Sequence, residues 1–368
     1  MRILYVLLLC SALGPTVVAQ GVITRIGIDG TEFYYNGVPD LQTLFDDATD
    51  NGLGVDTVLL PGGQFLLTSN LDVTSPVIVI GSGIRADSAI VYGGRTAFVG
   101  SNASIFLHAD ADGSEMHGVS FEQGGNSPIY FGSTLPDSDV DNVRFVRCDI
   151  RAAALSYPNA TSSLASNITF QECILNEALN VSGSEGVVVR SSIIHDIVGA
   201  YLGSNLSVLN NIVLDFDGLN GNGFNPNVLV NYMNNVFLTN SITLHVTENA
   251  IFSNNLFVGN DALFGQSVTF DPSITHTGTE TAPSLVEAFP GVQSPVGYTT
   301  YQYTGDYTLA LPYLGTDGTP LGVYGGDAPW KNGSLTFNPH WSLLTSPTNS
   351  TTNGVLQGVN IKASAQEN

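Results

Sequence analysis

Between Val143 and Val258 apolar and polar residues alternate in short runs, and each run ends on a small polar residue. The runs are Val143-Arg-Phe-Val-Arg-Cys148, Ile168-Thr-Phe-Gln-Glu-Cys173, Val187-Val-Val-Arg-Ser-Ser192, Leu206-Ser-Val-Leu-Asn-Asn211, Val230-Asn-Tyr-Met-Asn-Asn235 and Ala250-Ile-Phe-Ser-Asn-Asn255. The closing residues lie 25, 19, 19, 24 and 20 positions apart. Period two means a strand with one face buried. A motif recurring at about this interval means stacked units, none of which can bury its apolar face alone.

A second apolar pair follows each anchor, such as Ile193-Ile194 and Leu256-Phe257. Two short strands meeting at a polar corner, repeated with no helical stretch between, describe a coil of parallel β-structure. At such corners asparagine side chains from successive coils can form a ladder that satisfies an otherwise buried turn. The expected ladder is Asn211, Asn235 and Asn255, continued towards the N-terminus by Ser192, Cys173 and Cys148. Stacked strands lie about 4.8 Å apart, within the reach of a disulfide, although parallel side chains are poorly aimed for one. Cys148 and Cys173 are therefore either stacked thiols or a disulfide. Of the apolar residues after the anchors, only one series can point inward: Ile174, Ile193, Ile212, Val236 and Leu256, or Leu175, Ile194, Val213, Phe237 and Phe257. The other forms an outer stripe, expected to be covered by the proline-rich residues 264–300 or left for a partner.

This pattern resembles the right-handed parallel β-helix, pectate-lyase-like family. The resemblance implies an all-β chain: a single right-handed solenoid with an N-terminal helix cap and a C-terminal β/loop cap. It leaves activity open, because the fold carries lyases, hydrolases, adhesins and structural proteins.

From the start, Met1-Arg2, an apolar run to Leu9 and Val17-Val-Ala19 read as a secretory signal peptide over residues 1–19. A membrane span needs about 20 apolar residues, and no stretch supplies them. Residues 20–56 form a lead-in and cap: Pro39 to Ala48 has the i, i+3, i+4 spacing of a short amphipathic helix, with acids expected in its first turns. Residues 57–263 are the coils, with glycine pairs at corners. Residues 264–330 read as an excursion and a closing coil, and 331–368 as a C-terminal cap. Pro329-Trp330 and Phe337-Asn-Pro-His-Trp341 are similar to a tail of exported Bacteroidota β-helix proteins.

The formal charge is −22, and residues 191–330 contain no Lys or Arg. Phosphate contacts need clustered basic residues, so nucleic acid is excluded as a partner. Polyanionic glycans would be repelled. An extracellular glycan or a cell-surface protein remains, in a secreted, surface or periplasmic setting. The seven Asn-x-Ser/Thr sequons, at Asn102, Asn159, Asn167, Asn180, Asn205, Asn332 and Asn349, matter only in a glycosylating host.

Four residues past the anchors lie Ala152, Glu177, Asp196, Asp215, Thr239 and Gly259. If register holds, Glu177, Asp196 and Asp215 stack, with Asp217, His195 and Arg151 nearby. Stacked like charges repel, and three arrangements answer this. A carboxylate pair can act as acid and base on a glycoside, a calcium ion can sit between the acids, or the side chains splay into water. Asp110 and Asp112 lie in an Asp-x-Asp-Gly segment that could open a calcium loop, but the full loop pattern is missing and a plain polar turn is the preferred reading. No other cofactor is indicated. The lyase motif Arg-x-Pro-x-x-Arg and the hydrolase Gly-His-Gly set are absent. Arg144, Arg147, Arg151 and Arg190 are expected to make weak surface pairs with Asp149, Glu172 and Glu185.

Two functions follow. The preferred one is an exported non-catalytic protein, a cell-surface or matrix structural or carbohydrate-contacting module. The alternative is a polysaccharide-active enzyme, lyase or glycoside hydrolase, using the acidic stripe.

Overall fold

The computed structural model describes residues 23–330 together with 351–352 and 355–356. Within that span it leaves aside 36–40, 48–54, 85–94, 101–102, 124–128, 133–138, 156–164, 182–183, 199–204, 216–228, 240–242, 245–249, 260–268, 271–274, 279, 283–284, 293–300, 302–304 and 312. The proposed signal peptide, Asp217 and nearly all of the tail lie outside the described residues.

The chain is all-β with parallel sheets as its frame, as the alternation predicts. Among the described residues a 12-stranded and a 14-stranded sheet carry most strands. Each repeat contributes a strand to the larger sheets in turn. Arg144–Val146 pairs in parallel with Thr169–Gln171, and Thr169–Gln171 with Val187–Arg190. The series continues through Leu206–Leu209, Val230–Met233 and Ala250–Ser253. Inward positions carry the large side chains, so like residues stack: Phe145 on Phe170 at 5.2 Å, Tyr232 on Phe252 at 4.7 Å and Phe237 on Phe257 at 5.0 Å.

All six anchors are buried at 0 % exposure. The backbone N–H of Cys173 donates to Ser192 Oγ at 3.0 Å, and that of Ser192 to Asn211 Oδ1 at 2.9 Å. Asn211 N–H donates to Asn235 Oδ1 and Asn235 N–H to Asn255 Oδ1, both at 2.9 Å. Each asparagine Nδ2 also reaches a carbonyl of the previous repeat, Val189, Val208 or Tyr232, at 2.7–2.9 Å. Cys148 and Cys173 are free thiols that donate to the carbonyls of Met116 and Phe145. Of the two alternatives for these cysteines, the structure has the stacked thiols.

A second regularity accompanies the ladder. The residue before every anchor has positive φ: Arg147 53°, Glu172 52°, Ser191 49°, Asn210 56°, Asn234 58° and Asn254 49°. This left-handed kink turns the chain from one sheet into the other, and asparagine tolerates it best after glycine. The Asn-Asn doublets at 210–211, 234–235 and 254–255 were its signal in the sequence.

The N-terminal end is closed by mixed structure. Ile23–Ile26 runs antiparallel to both Glu32–Tyr35 and Asp56–Leu59. The predicted helix spans Leu41–Asp47 and buries Leu41, Leu44 and Phe45; its first turn holds no acid, since Asp46 and Asp47 fall at its end. Gln42 accepts from the Asp72 N–H at 2.8 Å and donates to the Asp72 carbonyl at 2.9 Å, so its amide completes a sheet edge.

The apolar series divides cleanly. Leu175, Ile194, Val213, Phe237 and Phe257 belong to the main core. Ile174, Ile193, Ile212, Val236 and Leu256 form the outer stripe, packed under Ala288, Phe289, Val292, Tyr307, Leu321, Val323 and Trp330. The cover therefore extends well beyond the expected 264–300, reaching Trp330. It is fastened at the corner: Asn234 accepts from Thr316 N–H at 3.0 Å, and the Asn234 carbonyl from Gly322 N–H at 2.8 Å. A Cβ on Gly315 would lie 2.7 Å from the Asn234 side chain, so only glycine permits that approach.

Candidate functional site

The acids singled out by spacing lie where the 14-stranded sheet bends between two short strand segments. Ile174 lies opposite Asp149, an offset of 25, but Leu179 lies opposite Ala153, an offset of 26. On the other side Leu175 faces Ile194, an offset of 19, and Ala178 faces Asp196, an offset of 18. The strand Ile174–Asn180 thus holds one extra residue relative to both neighbours. Bulges of this kind re-aim side chains.

The bulge breaks the expected stripe. Asp196 lies opposite Ala178 and not Glu177. Glu177 instead accepts from Arg151 Nε at 2.8 Å in the adjacent repeat, with both side chains 44 % exposed. Asn176 donates to the buried carboxylate of Asp149. Asp196 Oδ1 accepts from the Ile197 N–H at 2.7 Å. Asp215 donates its own N–H to the His195 carbonyl at 2.8 Å, which places it one repeat further along. Five of the six candidates, Arg151, Glu177, His195, Asp196 and Asp215, therefore occupy one bend over four repeats.

Two features of the bend go beyond spacing. His195 Nδ1 is buried and has no hydrogen-bond partner among the described residues. The Tyr232 phenol, buried inside the sheets, is pushed well above its ordinary range by burial and then by the negative charge of Asp196.

Further along the same face Arg95 pairs with Glu122 at 2.6 Å, and Ser120 Oγ donates to Glu122 at 2.8 Å. Arg144 and Arg190 lie on strands of the 12-stranded sheet, and Arg147 lies just after one of them. Arg144 pairs with Glu115 at 3.3 Å, and Arg190 Nε donates to Gln171 at 3.1 Å. Arg147 pairs with Glu172 at 2.9 Å with side chains only 10 % and 4 % exposed, a buried contact where a weak surface pair was expected.

Asp110 lies within a short 3-10 turn over Ala109–Ala111, and Asp112 follows directly as its C-cap. Asp112 accepts from the Asp141 N–H at 2.6 Å. Desolvation raises its pKa; the Asp141 N–H opposes this, and the charges of Asp141, Asp110 and Asp139 add to it. Among the described residues no group of three or more His, Cys, Asp or Glu side chains is arranged to hold a metal ion. Among them, too, no helix is long and apolar enough to cross a membrane.

Comparison with protein-family models, with curated proteins and with solved structures finds no match to this chain.

Proposed function

We propose that the chain is a single right-handed parallel β-helix of pectate-lyase-like type, exported and non-catalytic, serving as a cell-surface or matrix module that contacts carbohydrate. Right-handed winding is supported by the strong preference of parallel crossovers for that hand. One observation carries the functional reading: the carboxylates at the bend are engaged by neighbours, Glu177 by Arg151, Asp149 by Asn176 and Asp196 by the Ile197 amide. A retaining glycosidase instead needs two carboxyls facing each other across about 5 Å.

The orphaned His195 Nδ1 beside Asp196 favours the second reading, a polysaccharide-active enzyme. The test is turnover of neutral and acidic polysaccharides, with and without calcium, by the parent chain and by Asp196→Ala and Asp215→Ala. No turnover is expected in any arm. Turnover abolished by either substitution would establish the enzyme and overturn the module.

A further inference from the structure

At the N-terminal cap the 12-stranded sheet ends on an open edge. Among the described residues Glu32–Tyr35 is the outermost strand of that sheet and pairs only with Ile23–Ile26. The Gly27 N–H donates to the Thr31 carbonyl at 2.9 Å, and the register then makes Arg25 and Phe33 the next hydrogen-bonded pair of the hairpin. In an antiparallel ladder such pairs alternate with non-hydrogen-bonded ones. The N–H and C=O groups of Glu32 and Tyr34 therefore point away from Ile23–Ile26, along the edge.

Natural sheets blunt such an edge with lysine, proline or a bulge, and this strand has none of the three. It presents apolar surface instead. Tyr34 is 62 % exposed, Phe33 36 %, and Ile28 in the adjoining turn 55 %. The Arg25 guanidinium lies 4.0 Å from the centre of the Phe33 ring, and the Tyr34 hydroxyl donates to the Glu32 carboxylate. Exposed apolar groups gathered at an unpaired edge mark a place where another chain adds.

We infer that this edge joins two copies of the chain, with Glu32–Tyr35 paired antiparallel to itself about a two-fold axis at Phe33. One register satisfies every outward group: Glu32 lies opposite Tyr34 of the second copy, so each pair exchanges both of its backbone hydrogen bonds. The same register sets Phe33 against Phe33 of the second copy as a non-hydrogen-bonded pair, with Cα atoms about 4.5 Å apart. Charge is matched as well. Each Glu32 carboxylate meets a Tyr34 phenol across the junction and not a second carboxylate, whereas like charges directly opposite would destabilise the pair. The contact is isologous and closes on itself, so it consumes the edge without starting a fibre. An edge this short buries less than the roughly 800 Å² per partner of a standard interface, and the dimer is accordingly weak and concentration-dependent.

The test is analytical ultracentrifugation of the mature chain over a concentration series, at low and at high salt. Reversible dimerisation is expected, and salt should strengthen it, because two chains of −22 repel each other. Tyr34→Pro removes an outward N–H and none that bonds to Ile23–Ile26. It should weaken the dimer tenfold or more with an unchanged melting temperature. A second measurement does not depend on that variant. Phe33→Cys should oxidise to a covalent dimer, since its two sulfurs meet across the axis. Thr31→Cys, roughly 13 Å from its counterpart in this register, should not, and the native thiols Cys148 and Cys173 are buried. A chain that is monomeric at every concentration overturns the inference. So does a dimer weakened by salt, parent-like dimerisation of a folded Tyr34→Pro variant, or equal cross-linking of the two cysteine variants.

Discussion

Replacing Asn235 with alanine tests the ladder at its best-connected rung. Asn235 Oδ1 accepts from the Asn211 N–H at 2.9 Å and from Asn211 Nδ2 at 3.1 Å. Its Nδ2 donates to the Val208 carbonyl at 2.7 Å and to Asn255 Oδ1 at 3.0 Å. Alanine leaves the Asn211 N–H and the Val208 carbonyl without these partners in a fully buried setting. Each orphaned buried group costs about 1–3 kcal/mol, so the expected loss is about 2–6 kcal/mol. Asn231→Ala is the control, since Asn231 lies four residues earlier on an outward, half-buried position; it should change stability by less than about 0.5 kcal/mol. Urea unfolding gives the global effect. Because repeat arrays open locally, hydrogen exchange of a peptide spanning 205–214 gives the local one. Protection there should fall in Asn235→Ala and hold in Asn231→Ala. Equal urea midpoints for the two variants, or undiminished protection at Asn211, would refute the ladder's role.

Three further outcomes follow from the same geometry. Burial, and then the neighbouring Cys148 thiol, push the Cys173 thiol well above its ordinary range, and both thiols are fully buried, so neither Cys148 nor Cys173 should react with a thiol reagent before unfolding; rapid labelling of either one in the native chain would contradict this. Arg147→Ala should cost about 3–5 kcal/mol by stranding the buried Glu172 charge, whereas the double variant Arg147→Asn, Glu172→Asn should recover most of it, because asparagine suits both left-handed positions. A double variant as unstable as the single one would exclude that account. The Thr308 hydroxyl and then its amide hold Asp306 below the usual carboxylate range. Its folded pKa being the lower, the contribution is present above about pH 4 and lost as pH falls through the folded value. Asp306→Asn should therefore lower the urea midpoint at about pH 6 and leave it unchanged at about pH 2, and an equal deficit at both would count against the assignment.

Much of this chain was legible because its strongest signals are local. Alternation such as Ile168-Thr169-Phe170 fixes which side chains share a face within a strand, whatever the strand pairs with. The polar anchors were equally legible, since a buried corner needs hydrogen-bonding side chains at one fixed place in each repeat. Their preceding left-handed residues were visible as Asn-Asn doublets, although Arg147 and Glu172 at the same place carried no such signal.

Other features depend on how separate segments meet. Counting from the anchors assumes a constant register, and a single extra residue between Leu175 and Ala178 moves Glu177 away from Asp196 and onto Arg151. Alternation says nothing about a slip between neighbouring strands, because both registers preserve it within each strand. Periodicity also left open which apolar series faced inward, since Ile193 and Ile194 are both buried. Only residues such as Phe289, Tyr307, Leu321 and Trp330, folding back over the outer stripe, decide that both faces are covered. The sequence by itself determined the strands, their corners and the buried ladder; the tertiary structure decided the bulge and the cover, because each is set by contacts between segments whose spacing along the chain carries no fixed period.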